Sequence, residues 1–205
     1  MSLAGRRLLV PVTAGRKDLA ERLRAQGATV DEVEFIAVIE SSEAERLEQL
    51  TRDWCDGAFN WLAVTSRNAV LAMNKAAAGL GRSLAEPIPP SRVATVGDAT
   101  RGVCASVGLE VALVPTERQD AAGIAQAFAE GPGTVLVPVG DLASPVLARG
   151  LTRKGWDVTQ VEAYRVVDGP GITAEHAEAL AAGEYDAVLL TSGSVAERYE
   201  AYATP

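Results

Sequence analysis

Two hydrophobic rhythms take turns along this chain. Short runs dense in Val, Leu and Ile read as strands: RRLLVPVT (6–13), TVDEVEFIAVIE (29–40), NWLAVTS (60–66), RVATVG, EVALVPT, TVLVPVG, WDVTQVEAYRVVDG and DAVLLTS. Between them lie stretches with the three-to-four-residue spacing of amphipathic helices. KDLAERLRAQG (17–27) closes at Gly27, and SSEAERLEQLTRDWCDG (41–57) carries a Ser cap, acidic residues behind it and a closing glycine. RNAVLAMNKAAAGLG, DATRGVCASVG, DAAGIAQAFAEG, ASPVLARGLTRKG, TAEHAEALAAGEY and SVAERYEAYATP continue the helical series. Strict β/α alternation of this kind predicts an α/β fold of parallel sheets covered by helices on both faces.

Two of the strands break the pattern. EVEFIAVIE and TQVEAYRVV are longer and more polar than a strand buried on both faces should be, and they read as connectors passing between domains. The expected organisation is an inserted domain at residues 37–167 and a second, discontinuous domain assembled from residues 1–36 and 168–205. A single continuous sheet with two edge strands is the alternative. The discontinuous domain has few strands for an independent sheet, and the last helix ends at Ala203-Thr204-Pro205 with no strand after it, so further C-terminal residues are expected beyond those in the sequence.

Composition narrows the function classes. At 205 residues, 48% hydrophobic and 22% charged, the chain can bury a substantial core. No apolar run approaches the roughly 20 residues of a membrane span, and the N-terminal RRLLVPVTA is short and broken by proline, so a cytoplasmic protein without a membrane partner is expected. A net charge of −8 argues against a nucleic-acid partner, whose phosphates call for Lys/Arg stripes. A small anionic ligand remains compatible, because backbone N–H groups and a few arginines can hold it locally. Cys55 and Cys104 are far apart and form no metal-binding pattern, and His176 sits alone in a polar helix, so no metal is expected. Trp54, Trp61 and Trp156 fit packing at helix ends and strand starts.

The candidate chemistry gathers where strands end. Ligands of open α/β sheets bind at carboxyl strand ends, beside helix N-termini. Small or hydroxyl residues recur there: Thr65-Ser66, Gly97-Asp98-Ala99-Thr100, Gly140-Asp141 ahead of Ser144, and Thr191-Ser192-Gly193-Ser194. Each alone could be an ordinary N-cap. The glycine patterns of dinucleotide and P-loop sites are missing from every strand end, and a Ser or Cys nucleophile would lack a base. Tyr164, in VEAYRVV, is a hydrogen-bond donor and weak acid on a connector, with aromatic packing at the junction as the plainer reading.

TSRNAV after a strand, VGDAT opening a helix, LVPVGDLASPVLARGLTRKGWDVTQVEAYRVV and DAVLLTSGSVAERY occur in an order and spacing that resembles the uroporphyrinogen-III synthase family over nearly the whole chain. The resemblance implies two parallel-sheet domains of flavodoxin-like or Rossmann-like type, joined by a two-stranded linker around a cleft, the terminal domain incomplete here. It implies a lyase without a cofactor, which closes the anionic linear tetrapyrrole hydroxymethylbilane with inversion of ring D through an azafulvene and a spiro intermediate. Tyr164 stands where the family's linker tyrosine is proposed to be catalytic, and Ser66, Thr100 and Ser192 match hydroxyl positions around the substrate. Arg67, Asn68, Gly97, Ser144 and Gly193 join them as expected substrate-binding positions. The first strand departs from the pattern: PVTAGR has no arginine straight after its Thr, which leaves Arg16 as a displaced candidate. A monomer is expected. The alternative is a noncatalytic two-lobed binding or regulatory module of the same fold.

Overall fold

The computed structural model describes residues 2–12, 18–87, 91–190 and 193–203. In chain order the elements are β1 (Arg7–Pro11), α1 (Asp18–Ala25), β2 (Thr29–Val33), β3 (Ile36–Glu40), α2 (Ala44–Cys55), β4 (Trp61–Val64), α3 (Arg67–Gly79), β5 (Arg92–Thr95) and α4 (Asp98–Ser106). They continue as β6 (Val111–Leu113), α5 (Ala121–Ala127), β7 (Thr134–Gly140), α6 (Val146–Arg153), β8 (Asp157–Asp168), α7 (Ala174–Ala181), β9 (Ala187–Val188) and α8 (Gly193–Ala203). The chain forms two compact units, Met1–Val38 with Val166–Pro205, and Ile39–Arg165. It passes from one to the other within β3 and again within β8.

The larger unit is built on a six-stranded sheet of order β3-β8-β7-β4-β5-β6, in which β8 runs parallel to β7, β7 to β4, β4 to β5 and β5 to β6. Alternation along each strand sorts its side chains into two cores. Leu62 and Val64 of β4, Val93 of β5 and Leu136 of β7 meet α2, α3 and α4 through Trp54, Val70, Met73 and Cys104. Ala63, Ala94, Val135, Val137 and Val139 face the other way and meet α5 and α6 through Ile124, Leu147 and Leu151. Strands buried on both faces explain why the centres of these runs are apolar rather than alternating.

Polar groups seal the edges of this unit. Ser41 and Ser42 do not cap α2, as the sequence pattern suggested; its N-cap is Glu43, with no side-chain cap bond. The two serines instead donate to Glu162 on β8, Ser41 Oγ at 2.7 Å to the carbonyl and Ser42 Oγ at 3.0 Å to the carboxylate, while the Glu162 N–H donates to the Glu43 carboxylate at 3.1 Å. Burial works to raise the Glu162 pKa, but the N–H and hydroxyl donors of Ser41 and Ser42 outweigh it and hold the carboxyl below its ordinary range. Trp54 is buried with its indole N–H donating to the Leu84 carbonyl at 3.0 Å, and Phe128 packs between Trp61, tilted at 4.8 Å between centroids, and Trp156, edge to face at 5.8 Å.

The smaller unit has a three-stranded parallel sheet of order β2-β1-β9. Leu8, Val10 and Val30 pack on Ala20 of α1, and Leu9, Val33 and Phe35 on Val195 of α8. The run 29–40 is therefore two strands rather than the expected long one: β2 pairs in this sheet and β3 in the six-stranded one, with Glu34 and Phe35 between them. A polar network ties the sheet's amino end, where Asp31 accepts from the Arg7 guanidinium at 2.9 Å and from the Tyr185 hydroxyl at 2.7 Å. The lone His176 takes part in a reciprocal cap of α7, its ring accepting from the Thr173 N–H at 3.3 Å. Among the described residues no helix is long and apolar enough to cross a membrane.

Candidate active site at the strand-order reversal

The order of the six-stranded sheet turns around between β7 and β4. From β4 the chain proceeds outward through α3 to β5 and β6, then α5 carries it back across to β7, and α6 leads outward the other way to β8. Because parallel crossovers are right-handed, α3 and α6 leave the carboxyl ends of β4 and β7 on opposite faces. Ligands of open α/β sheets bind at such a reversal.

Ser66 follows β4 at this point. With extended backbone (φ −141°, ψ 140°), it is the N-cap of α3, and its Oγ accepts the Asn68 N–H at 3.1 Å. β7 ends at Gly140. Tyr164 comes from the neighbouring β8, and its hydroxyl donates to Ser66 Oγ at 3.0 Å.

A register shift aims the tyrosine. β7 and β8 pair residue for residue from Thr134↔Asp157 to Val139↔Glu162, and then Gly140 pairs with Tyr164, skipping Ala163. In a regular strand Ala163 and Tyr164 would point to opposite faces. With the extra residue both pack against the core under α2 and α3. Gly140 makes room for the ring: a Cβ there would lie 2.8 Å from Tyr164 Cζ and 2.9 Å from its hydroxyl oxygen. Next to it the Asp141 N–H donates to the Tyr164 carbonyl at 3.1 Å.

The other candidates distribute unevenly. Arg67 and Asn68 are half-buried in the first turn of α3, beside Ser66. Gly97 is the N-cap of α4 and offers no cap bond, and a Cβ on it would come within 2.6 Å of the Gln119 side chain. Thr100 is buried in the first turn of that helix. Ser144 is exposed and is not the cap of α6, whose N-cap is Pro145. Gly193 is the first residue of α8 in the smaller unit. Arg16 and Ser192 lie outside the described residues, as does Thr191. Gly140 stood among the strand-end residues but not among the expected substrate-binding positions, although a glycine closing an otherwise apolar strand is a sign of close approach.

Other groups are poor candidates for chemistry. Cys55 and Cys104 are both buried in helices with free thiols, and burial pushes Cys104 up to about 11. Among the described residues no group of three or more His, Cys, Asp or Glu side chains could hold a metal. A cavity of about 280 Å³ beside the β6–α5 connection is lined by residues 115–118 with Gly123, Gln126 and Ala127. None of the candidate residues lines it, and its arginine, Arg118, is already paired with Asp120. The polar convergence at Tyr164 and Ser66 is the better guide to reactivity than this hollow.

Comparison with known proteins places the fold. The model of the family described as uroporphyrinogen-III synthase HemD matches residues 17–204. The chain belongs to the uroporphyrinogen-III synthase family. It is thereby an enzyme of tetrapyrrole biosynthesis, a cyclising lyase acting on a tetrapyrrole substrate. A mutant uroporphyrinogen III synthase from the extremely thermophilic bacterium Thermus thermophilus superimposes with a TM-score of 0.63 at 21% identity, over 95% of this chain and 75% of that one. The wild-type enzyme of that organism gives 0.57 at 20% identity, over 98% and 77%. Uroporphyrinogen-III synthetase from Helicobacter pylori gives 0.52 at 15%, over 96% and 78%. At these identities the structures speak to the fold, while the family match carries the activity. Among curated protein sequences no relative matches.

Proposed function

We propose that this synthase ionises hydroxymethylbilane beside Tyr164 and Ser66 and closes it there to uroporphyrinogen III. The supporting observation is the 3.0 Å hydrogen bond between those two hydroxyls at the strand-order reversal. The terminal hydroxyl leaves as water and a delocalised azafulvenium remains. Its carbon attacks the substituted position of ring D, and the spiro intermediate fragments and recloses with that ring inverted. Much of this reactivity belongs to the substrate, which closes without inversion when free. The protein's larger task is to hold the chain so that the substituted carbon is the nearer one.

The residues fit that division of labour. The helix starts at Gly97 and Pro145 have no side-chain cap bond among the described residues, so their first-turn N–H groups are the proposed partners of substrate carboxylates, and Arg67 stands at the start of α3. Such donors grip a polycarboxylate without making an acidic protein basic overall. In the same reading the enzyme works as a cytoplasmic monomer, with Arg16, Thr100, Ser144, Ser192 and Gly193 as further substrate contacts. Tyr164→Phe tests the assignment: single-turnover conversion, with isomers III and I separated, should slow by about a hundredfold on general-acid precedent with little change in substrate binding. An unchanged turnover number removes Tyr164 from the reaction.

A further inference from the structure

We propose that Ser66 is the group that hands the proton to the departing hydroxyl, with Tyr164 behind it as the proton's source. This rests on the reading that the substrate ionises at this strand end. A serine oxygen has two lone pairs and one hydrogen. One lone pair of Ser66 Oγ accepts the Asn68 N–H at 3.1 Å, and the Tyr164 hydroxyl 3.0 Å away, the stronger acid of the two, is assigned as the donor to the other. With both occupied, Ser66 can meet a ligand only as a donor. Tyr164, its hydrogen turned toward the serine, can meet one only as an acceptor.

Chemistry favours this direction. A phenol is a stronger acid than an aliphatic alcohol, so Tyr164 is the natural donor within the pair. The start of α3 also favours negative charge on the serine oxygen as its proton leaves. The ring has little freedom to turn away, being packed against the core and seated over Gly140. The step balances: Ser66 O–H protonates the substrate hydroxyl, the C–O bond breaks with its electron pair on oxygen, water departs, and the Tyr164 proton refills the serine. At the final closure the pyrrole carbon gives up its proton, which returns through Ser66 to the phenolate.

Ser66→Asn separates donation from capping. Asparagine caps a helix as well as serine and its carbonyl can accept from Tyr164, but it cannot relay a proton. Single-turnover rates on hydroxymethylbilane should fall about a hundredfold in Ser66→Asn, as in Tyr164→Phe, and the double variant should fall little further, because the two act as one unit. Ser66→Thr, which restores a hydroxyl, should stay within about tenfold of the parent, and the parent's rate in mixed H₂O/D₂O should bend as for two protons in flight. Ser66→Gly, also tolerated at an N-cap, serves if the Asn variant does not fold. A full-rate Ser66→Asn beside a slowed Tyr164→Phe overturns the relay while leaving the site in place, as do losses that multiply. Full rates in both singles overturn the site as well.

Discussion

Replacing Gly140 with alanine should disable the enzyme through Tyr164. The new Cβ would stand 2.8 Å from Tyr164 Cζ, about 0.6 Å inside the 3.4 Å at which such contacts become ordinary (3.4 − 2.8). Gly140 does not occupy the positive-φ region, so alanine brings no backbone strain of its own and the side chains must yield. A shift of about half an ångström applied to the ring stretches its 3.0 Å bond to Ser66 toward 3.5 Å, beyond a useful hydrogen bond. The stability cost should be about 1–3 kcal/mol from overpacking and about 1 kcal/mol from the lost bond, which a unit of this size survives. The kinetic cost should approach that of Tyr164→Phe, about ten- to a hundredfold in single-turnover rate, with more isomer I because free substrate closes without inversion. Thermal melting and isomer-resolved kinetics on Gly140→Ala, alone and in the Tyr164→Phe background, decide it. A rate equal to the parent's, or a loss equally large in both backgrounds, would show that the glycine does not act through the phenol.

Two further outcomes concern stability. The Thr95 hydroxyl, at the end of β5, is fully buried with no hydrogen-bond partner among the described residues, so Thr95→Val should raise stability by about 1–2 kcal/mol in urea unfolding; a destabilised variant would mean that the hydroxyl is paired. Burial works to raise the Asp31 pKa, but Tyr185 and Arg7 outweigh it and leave it lowered, so its contribution is present above the unfolded value near ~4 and lost as pH falls through the folded one. Burial and the bond to Asp31 push Tyr185 the other way, up to about 12, so its contribution is present below ~10 and lost as pH rises from there toward 12. Asp31→Asn should therefore flatten both limbs of a stability-against-pH curve, and limbs as steep as the parent's would refute the assignment.

How far the sequence could be read follows from which forces act locally. The central strands and the helices of the larger unit were visible in hydrophobic period, because β4, β5 and β7 are buried on both faces and keep their polar residues to the strand ends. The division at Glu34 and Phe35 was not visible: TVDEVEFIAVIE is continuous in β propensity, and only pairing to two different sheets separates β2 from β3. The role of Ser41 and Ser42 was misread for a similar reason. A serine ahead of acidic residues looks like an N-cap, and nothing local reveals that a carboxylate 120 positions later, Glu162, will claim its hydroxyl. Tyr164 and Ser66 could each be named from the family resemblance, but their contact depends on Gly140 pairing with Tyr164 out of step, which no reading of single positions provides.

That bulge links the fold to the chemistry. Two residues before Tyr164, Glu162 is fastened to Ser41 and Ser42, and one residue after it Arg165 closes the larger unit, so β8 is held up to the point where its tyrosine is needed. The core then takes both Ala163 and Tyr164 on one face, and the phenol meets there a serine whose oxygen already serves a helix. Gly140 makes room for the ring as much as for its hydroxyl, since a Cβ there would lie 2.8 Å from Cζ, 2.9 Å from the phenol oxygen and 3.0 Å from Cε2, two of them atoms that a phenylalanine would also carry. What a tyrosine adds over a phenylalanine at this place is therefore the 3.0 Å bond to Ser66 alone, which is why Tyr164→Phe, leaving the ring and its packing in place, isolates the contribution of the hydroxyl.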